Sequence, residues 1–159
     1  LYWTTPSGFK VKQEYRKLTS KLVETYWGGT RVRLSVEEEA KDSDKKIDSR
    51  VTTNGQSPNY IHSMDASHLV LTIDACLDKG VENFAMIHDS FATHAGNTDT
   101  LRDTLREEFV KMYSENNLAK FRDEIASQLS PKNAKKLPEL PKQGNLDITK
   151  VLNSTYFFS

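Results

Sequence analysis

The sequence predicts an α+β fold in which a β-hairpin tipped by an aspartate packs against amphipathic helices. Three observations predict it. Apolar residues recur at three and four in three segments: Met64, Leu69, Ile73, Cys76 and Leu77; then Leu101, Leu105, Phe109 and Met112; then Leu118, Phe121, Ile125 and Leu129. That is the period of one helix face. Between the first two segments lies the short apolar run Val81 to Ile87, which suits a buried strand, and Phe91 to Ala95 can pair back on it across His88-Asp89-Ser90. Gly28-Gly29 separates two stretches with alternating polar and apolar residues, the signature of a second hairpin.

The elements follow in order. Thr4-Thr5-Pro6-Ser7-Gly8 reads as a turn, because Pro presets φ and Gly permits positive φ. Leu18 to Tyr26 and Arg31 to Val36 form the Gly-Gly hairpin, with Arg31 and Arg33 on one face of a strand. Residues 37–57 are charged, then rich in Thr, Asn, Gly and Ser, and read as an exposed connector with room for one helical turn, ended by Pro58-Asn59. A helix from His62 to Lys79 is closed by Gly80. The second helix follows Gly96-Asn97 with Thr98 as its N-cap, and the third ends at Ser130-Pro131. Beyond Leu137 the chain is irregular, with a short helix at Asp147 to Leu152 and an apolar end, Tyr156-Phe157-Phe158-Ser159, expected to dock. Residues 1–57 (basic hairpin and connector) and 58–159 (a helical segment with the Asp89 hairpin and the tail) are the two expected regions. There is no internal repeat.

The chain has 159 residues, 36% hydrophobic and 28% charged, enough for a real core. Net charge is zero, but residues 1–36 carry seven Lys and Arg against two acids, a balance that favours a polyanion. From Glu37 to Asp48 the sign reverses. The single cysteine, Cys76, excludes a disulfide within the chain and suits a reducing compartment; its apolar helical setting predicts a buried, inert thiol. No apolar run approaches the ~20 residues needed to span a membrane, and no signal peptide is expected. The chain lacks an initiator Met and opens in mid-pattern, which suggests a piece of a longer protein.

Three constellations could carry chemistry, and each has a plainer reading beside it. Asp89 follows the run Phe84-Ala85-Met86-Ile87, so rigid backbone would present its carboxylate at a hairpin tip. Such a group suits a hard cation such as Mg²⁺, or simply bonds turn amides. His62, Asp65 and His68 are spaced at three and three. They could ligate a metal or line a nucleic-acid groove; otherwise Ser63 and Asp65 cap the helix beside a solvated histidine. Lys21, Arg31 and Arg33 beside Tyr26 and Trp27 could follow a DNA backbone or read guanine edges; otherwise the aromatic pair braces a solvated hairpin.

Taken together, four blocks are far more specific. These are Trp3-Thr4-Thr5-Pro6-Ser7-Gly8-Phe9; Pro58-Asn59-Tyr60-Ile61-His62-Ser63-Met64-Asp65-Ala66-Ser67-His68; Ile87-His88-Asp89-Ser90-Phe91; and Gly144-Asn145-Leu146 with the closing Ser154 to Ser159. Their order and spacing resemble the C-terminal portion of the single-subunit DNA-directed RNA polymerases of bacteriophages and mitochondria, over essentially the whole chain. The resemblance implies part of the palm and fingers of a right-hand polymerase. It implies that Asp89 is the second of two metal-binding palm aspartates, serving two Mg²⁺ ions in the complete enzyme. It places His88 near the growing RNA end and His62 near the minor groove of the RNA–DNA hybrid. The hairpin at residues 18–36 falls where phage enzymes carry a promoter-reading loop, which makes Lys21, Arg31 and Arg33 candidates for DNA contact. The implied partners are template and promoter DNA, the RNA transcript and NTPs, with no membrane and a monomeric enzyme when complete. The implied setting is the cytoplasm of an infected bacterium, with a mitochondrion as the alternative.

The first palm aspartate and the helix bearing the catalytic lysine and tyrosine are expected upstream of Leu1, so residues 1–159 alone are expected to be inactive. Two other readings compete. A non-catalytic DNA-binding module would use the basic hairpin and the helix from His62 without chemistry. A His-Asp metal phosphohydrolase fits poorly, because here the doublet follows a strand. Family-A DNA polymerases follow the same His-Asp with Glu, whereas this chain has Ser90.

Overall fold

A computed structural model of the chain describes residues 1–39 and 47–157. The middle of the expected connector, 40–46, and Phe158-Ser159 of the apolar end lie outside the described residues. The chain forms two compact units, one of Leu1–Lys12 with Tyr60–Ser159, the other of Gln13–Asn59. All sheets are small antiparallel hairpins, so the fold is mixed α and β.

In the first unit, β1 (Tyr2–Thr4) pairs with β2 (Lys10–Lys12), with Trp3 opposite Val11. The connecting turn closes through the Gly8 N–H donating to the Thr5 carbonyl at 2.8 Å, with Gly8 at φ +84°. Trp3 is only 1% exposed. Its indole N–H donates to Ser63 Oγ at 3.0 Å, and its ring meets Phe121 edge-on at 5.8 Å. The next helix contact replaces a missing strand neighbour. Glu124 accepts from both the Thr4 N–H and hydroxyl at 2.7 Å, and Gln128 accepts from the Tyr2 N–H and donates to the Tyr2 carbonyl. An exposed strand edge would leave these groups to water.

Helix α1 runs over Ser49–Asp78, far longer than the expected helix beginning at His62. The expected connector is therefore corrected: its end is helical, and Pro58 lies inside the helix rather than before it. Proline removes one helical hydrogen bond at a cost of about 3 kcal/mol. Local contacts offset it. Asp48 Oδ1 accepts from the Val51 N–H at 3.0 Å, an N-terminal cap. Asn59 donates to Gln13 Oε1 and to the Tyr15 hydroxyl, and Gln13 Nε2 donates to the Thr52 carbonyl at 2.7 Å. Gly55 lies under the Tyr15 ring, where an added Cβ would sit 3.0 Å from Cε2. This glycine serves close approach, not a turn. The C-terminus behaves as expected. Gly80 takes φ +80°, the Gly80 N–H donates to Leu77 and the Val81 N–H donates to Cys76, a Schellman closure.

Val81 is consumed by that closure, so β5 begins later than expected, at Phe84–Ile87, and pairs with β6, Ser90–Thr93. Phe84 and Phe91 pack on a core of Cys76, Val81 and Leu101. Helix α2 (Thr98–Tyr113) is preceded by Asn97 as N-cap, which corrects the expectation of Thr98; Asn97 makes no side-chain cap bond. Helix α3 (Asn117–Ser127) starts with an Asn116 side chain accepting from the Ala119 N–H, and α4 is a single turn at Pro131–Ala134. The tail is irregular up to a 3₁₀ segment at Ile148–Asn153, capped by Asp147. No helix among the described residues is long and apolar enough to cross a membrane.

The second unit carries β3 (Leu18–Trp27) and β4 (Thr30–Glu39), joined by Gly28-Gly29 at φ +57° and +83°. Two consecutive positive φ angles match the right-handed strand twist that a tight hairpin needs. Every residue of β3 is exposed.

Candidate functional site

The Asp89 hairpin is tighter than the sequence suggested. Ile87 lies directly opposite Ser90, so His88 and Asp89 alone form the loop. His88 has φ +55°, a left-handed conformation that costs a side-chain-bearing residue about 1 kcal/mol or more. Glycine would remove that cost, so the histidine ring is kept at the expense of backbone strain. The Asp89 carboxylate is exposed and makes no hydrogen bond or ion pair among the described residues. The reading in which Asp89 bonds turn amides is thus corrected.

The tip does not stand alone. A cleft of about 250 Å³ is lined by His88 and Asp89 from the turn, Phe91 from β6, Asp65, His68 and Leu69 from α1, and Phe109 and Tyr113 from α2. Asp65 is exposed, so two carboxylates face one cleft. Tyr113 is 38% exposed; partial burial raises its hydroxyl pKa, and the charge of Asp65 adds to the effect. The phenol therefore stays protonated.

His68 forms the wall behind the turn. It is buried, and its Nε2 lies 2.8 Å from the Leu105 carbonyl. Its ring contacts Phe91 at 5.9 Å and Phe109 at 5.4 Å. Phe109 in turn meets Tyr113 at 4.5 Å and Phe157 at 4.7 Å. Of the apolar end the structure describes Tyr156 and Phe157; Phe157 docks as expected, whereas Tyr156 is 86% exposed. Burial lowers the His68 pKa, outweighing the opposite pull of the Leu105 carbonyl, Asp65 and Glu108.

The His62-Asp65-His68 spacing therefore resolves into different roles. His62 is exposed on α1 and is not among the residues lining the cleft. Asp65 faces the cleft and His68 is buried, so the solvated-histidine reading holds for His62 and not for His68. Ser63 caps nothing, since it lies in mid-helix. With Ser67 one turn on, it receives the Trp3 indole N–H, while Ser67 Oγ accepts from Ser7 at 3.3 Å. The serines tie the first and second sequence blocks together. Sequence reasoning missed Tyr113, Phe109 and the inward turn of His68; the aromatic positions at 109 and 113, one helical turn apart, were the available signal.

The basic hairpin also differs in detail. Strand register puts Glu24 opposite Arg33 and Tyr26 opposite Arg31. Glu24 accepts from Arg33 Nε at 2.8 Å and is ion-paired to Arg31 as well. Arg31 and Arg33 share a face, as expected, but Lys21 is opposite Val36 and so belongs to the other face. Tyr26 and Trp27 are neighbours on one strand, point to opposite faces and are 73% and 82% exposed, so they do not brace the hairpin as a pair.

A strand–turn–strand on a helical base thus presents the free carboxylate of Asp89 at a cleft that Asp65 also lines. Comparison with known proteins makes this specific. A family model described as DNA-dependent RNA polymerase matches residues 1–136. The DNA-directed RNA polymerase of Enterobacteria phage T3 is 40% identical over 162 aligned residues, covering 100% of this chain and 18% of that relative. T7 RNA polymerase of Escherichia phage T7 is 36% identical with the same coverage. The mitochondrial DNA-directed RNA polymerase 1 of Arabidopsis thaliana is 40% identical over 161 residues, 99% of this chain and 15% of that protein. The chain belongs to the DNA-dependent RNA polymerase family, of the single-subunit type shared by phages and organelles. It spans less than a fifth of the length of these three relatives.

Proposed function

We propose that this chain is the palm-and-fingers segment of a DNA-directed RNA polymerase that transcribes double-stranded DNA, and that Asp89 is a carboxylate ligand for its catalytic Mg²⁺. The observation that carries the reading is the free carboxylate of Asp89 at a strained two-residue turn, facing Asp65 across a cleft. The donor chemistry fits Mg²⁺. This cation uses one or two carboxylates and leaves its other positions to water and phosphate. Among the described residues no group of three or more His, Cys, Asp or Glu could hold a metal ion by itself. A further carboxylate from outside these residues would complete a two-metal site. When bound, Mg²⁺ supplies charge neutralisation at the transferring phosphoryl group and its leaving oxygen.

The chain's own residues have distinct tasks. Asp89 acts as a ligand and moves no proton. His88 lies beside the growing RNA end, its ring directed by the left-handed turn. His62, exposed on α1, approaches the RNA–DNA hybrid. Arg31 and Arg33 on one face of the β3–β4 ribbon, and Lys21 on the other, meet DNA. Substrates are NTPs, the enzyme works as a monomer, and residues 1–159 alone do not incorporate nucleotides. The phage and organellar relatives support either an infected bacterium or an organelle as the setting.

The test is Asp89→Asn in the full-length polymerase. Loss of a metal ligand worth several kcal/mol should lower nucleotide incorporation by roughly 10³-fold or more while DNA binding persists. Equal loss of binding and incorporation would assign Asp89 a folding role. Unchanged incorporation, with salt-dependent DNA binding indifferent to Mg²⁺, would favour the non-catalytic DNA-binding module.

A further inference from the structure

We infer that His68 is a positioning residue for the Asp89 turn, holding the β5–β6 hairpin at a fixed height over the cleft through Phe91. The inference rests on the reading of Asp89 as a metal ligand.

The argument begins with why a histidine is there at all. The side chain is 5% exposed and packed between two phenylalanine rings. If it only filled space, leucine or phenylalanine would do so without the cost of burying polar atoms. What histidine adds is direction. A carbonyl oxygen can only accept, so Nε2 carries the hydrogen and donates to Leu105 at 2.8 Å. That carbonyl lies within α2, where the Phe109 N–H also uses it in the regular helix ladder. The bond therefore ties the imidazole to the α2 backbone. Burial keeps the ring neutral, so the tautomer is fixed as well.

One neighbour of the locked ring belongs to the Asp89 hairpin. Phe91 belongs to β6 and lies two residues from Asp89, on a hairpin of only four residues per strand. A two-stranded ribbon this short has little stability of its own. Its attachment is through Phe84 and Phe91 beneath it. The His68 ring against Phe91 thus decides where the turn rests. Phe109 closes the other side of the ring and is itself braced by Tyr113 and Phe157. His68 touches neither metal nor substrate in this scheme; it acts through Phe91.

The experiment uses the full-length polymerase with His68→Phe, which keeps ring volume but loses the donor, and His68→Gln, which keeps a donor. Single-nucleotide incorporation on a primed template gives kcat, the NTP KM and the Mg²⁺ concentration for half-maximal rate; hybrid affinity and thermal unfolding are measured alongside. The expectation is a kcat about 10- to 100-fold lower in His68→Phe, the range usual for groups that orient metal ligands, with a higher Mg²⁺ requirement. NTP KM and hybrid affinity should be unchanged, and His68→Gln should recover most of kcat. Wild-type kcat and Mg²⁺ dependence in His68→Phe would overturn the inference. So would parallel loss of rate, hybrid affinity and folding in both variants. Asp89→Asn run beside them separates the two failures. An active Asp89→Asn removes the metal-ligand reading and this inference with it, whereas an inactive Asp89→Asn beside a normal His68→Phe removes the inference alone.

Discussion

Glu24→Gln tests the β3–β4 ribbon as a DNA-contacting surface. In the folded ribbon one carboxylate occupies both Arg31 and Arg33. On the proposed reading, DNA phosphates compete with it for the two guanidinium groups. The distal half of the hairpin carries Lys21, Arg31 and Arg33 against Glu24 alone, a net charge of +2 that becomes +3 when Glu24 is neutralised. These pairs are largely exposed, with the three side chains between 39% and 68% accessible, so losing them costs the fold well under about 1 kcal/mol. The effect on DNA is larger. Each added phosphate neutralised steepens the slope of log K against log salt by about 0.9 for duplex DNA. Between about 50 and 200 mM salt, that added steepness corresponds to roughly 3- to 4-fold more affinity lost than in the unsubstituted protein. Fluorescence anisotropy of a labelled duplex, titrated with KCl, reads the slope directly. Contacts made elsewhere in the polymerase are common to both proteins and cancel in the difference. An unchanged slope, or a shallower one, would refute the argument that Glu24 and phosphate compete for Arg31 and Arg33.

Two further expectations concern the scaffold. Trp3→Phe and Ser63→Ala should couple by about 1 kcal/mol in a double-mutant cycle read by urea denaturation, because each alone breaks the same 3.0 Å bond; additive losses would deny that bond. Stability should also depend on pH through His68. Its folded pKa lies below the unfolded value of about 6.5, so the unfolded chain binds more protons, stability falls as pH drops through 6.5, and the loss levels off below the folded pKa. Asp65 and Glu108 oppose this shift without cancelling it. The drop in Tm between about pH 7.5 and 5.5 should therefore be smaller in His68→Gln than in the unsubstituted protein, and equal drops would count against the burial argument.

Much of this molecule is legible from spacing alone, and the exceptions have physical causes. Periodicity located α2 and α3, and Gly-Gly located the ribbon, because those signals are local. The start of α1 was hidden by Asn54, Gly55 and Pro58, residues that normally punctuate a chain. The helix through them is capped by Asp48 at Val51 and held by Gln13 at Thr52 and Tyr15 at Gly55, and the last two contacts exist only after folding. The site divided in the same way. Asp89 could be singled out because an acid ending an apolar strand is conspicuous. Asp65, His68 and Tyr113 share its cleft through tertiary packing of two helices, which no single stretch of sequence records. The burial of His68 in particular depends on Leu105, 37 residues away. Family resemblance is the source of the role proposed for Asp89; the unengaged carboxylate and the positive φ of His88 are what the structure adds.

The exposure of β3 has an evolutionary consequence. All ten of its residues face solvent, and on β4 only Val32 and Glu38 are even half-buried. Exchanges on such a surface shift stability by about 0.5 kcal/mol at most. Selection for a folded chain is therefore nearly blind to Lys21, Glu24, Arg31 and Arg33, while it acts strongly on Trp3, Ser67 and His68. A lineage can rewrite what this ribbon touches by single substitutions and keep the same protein beneath it.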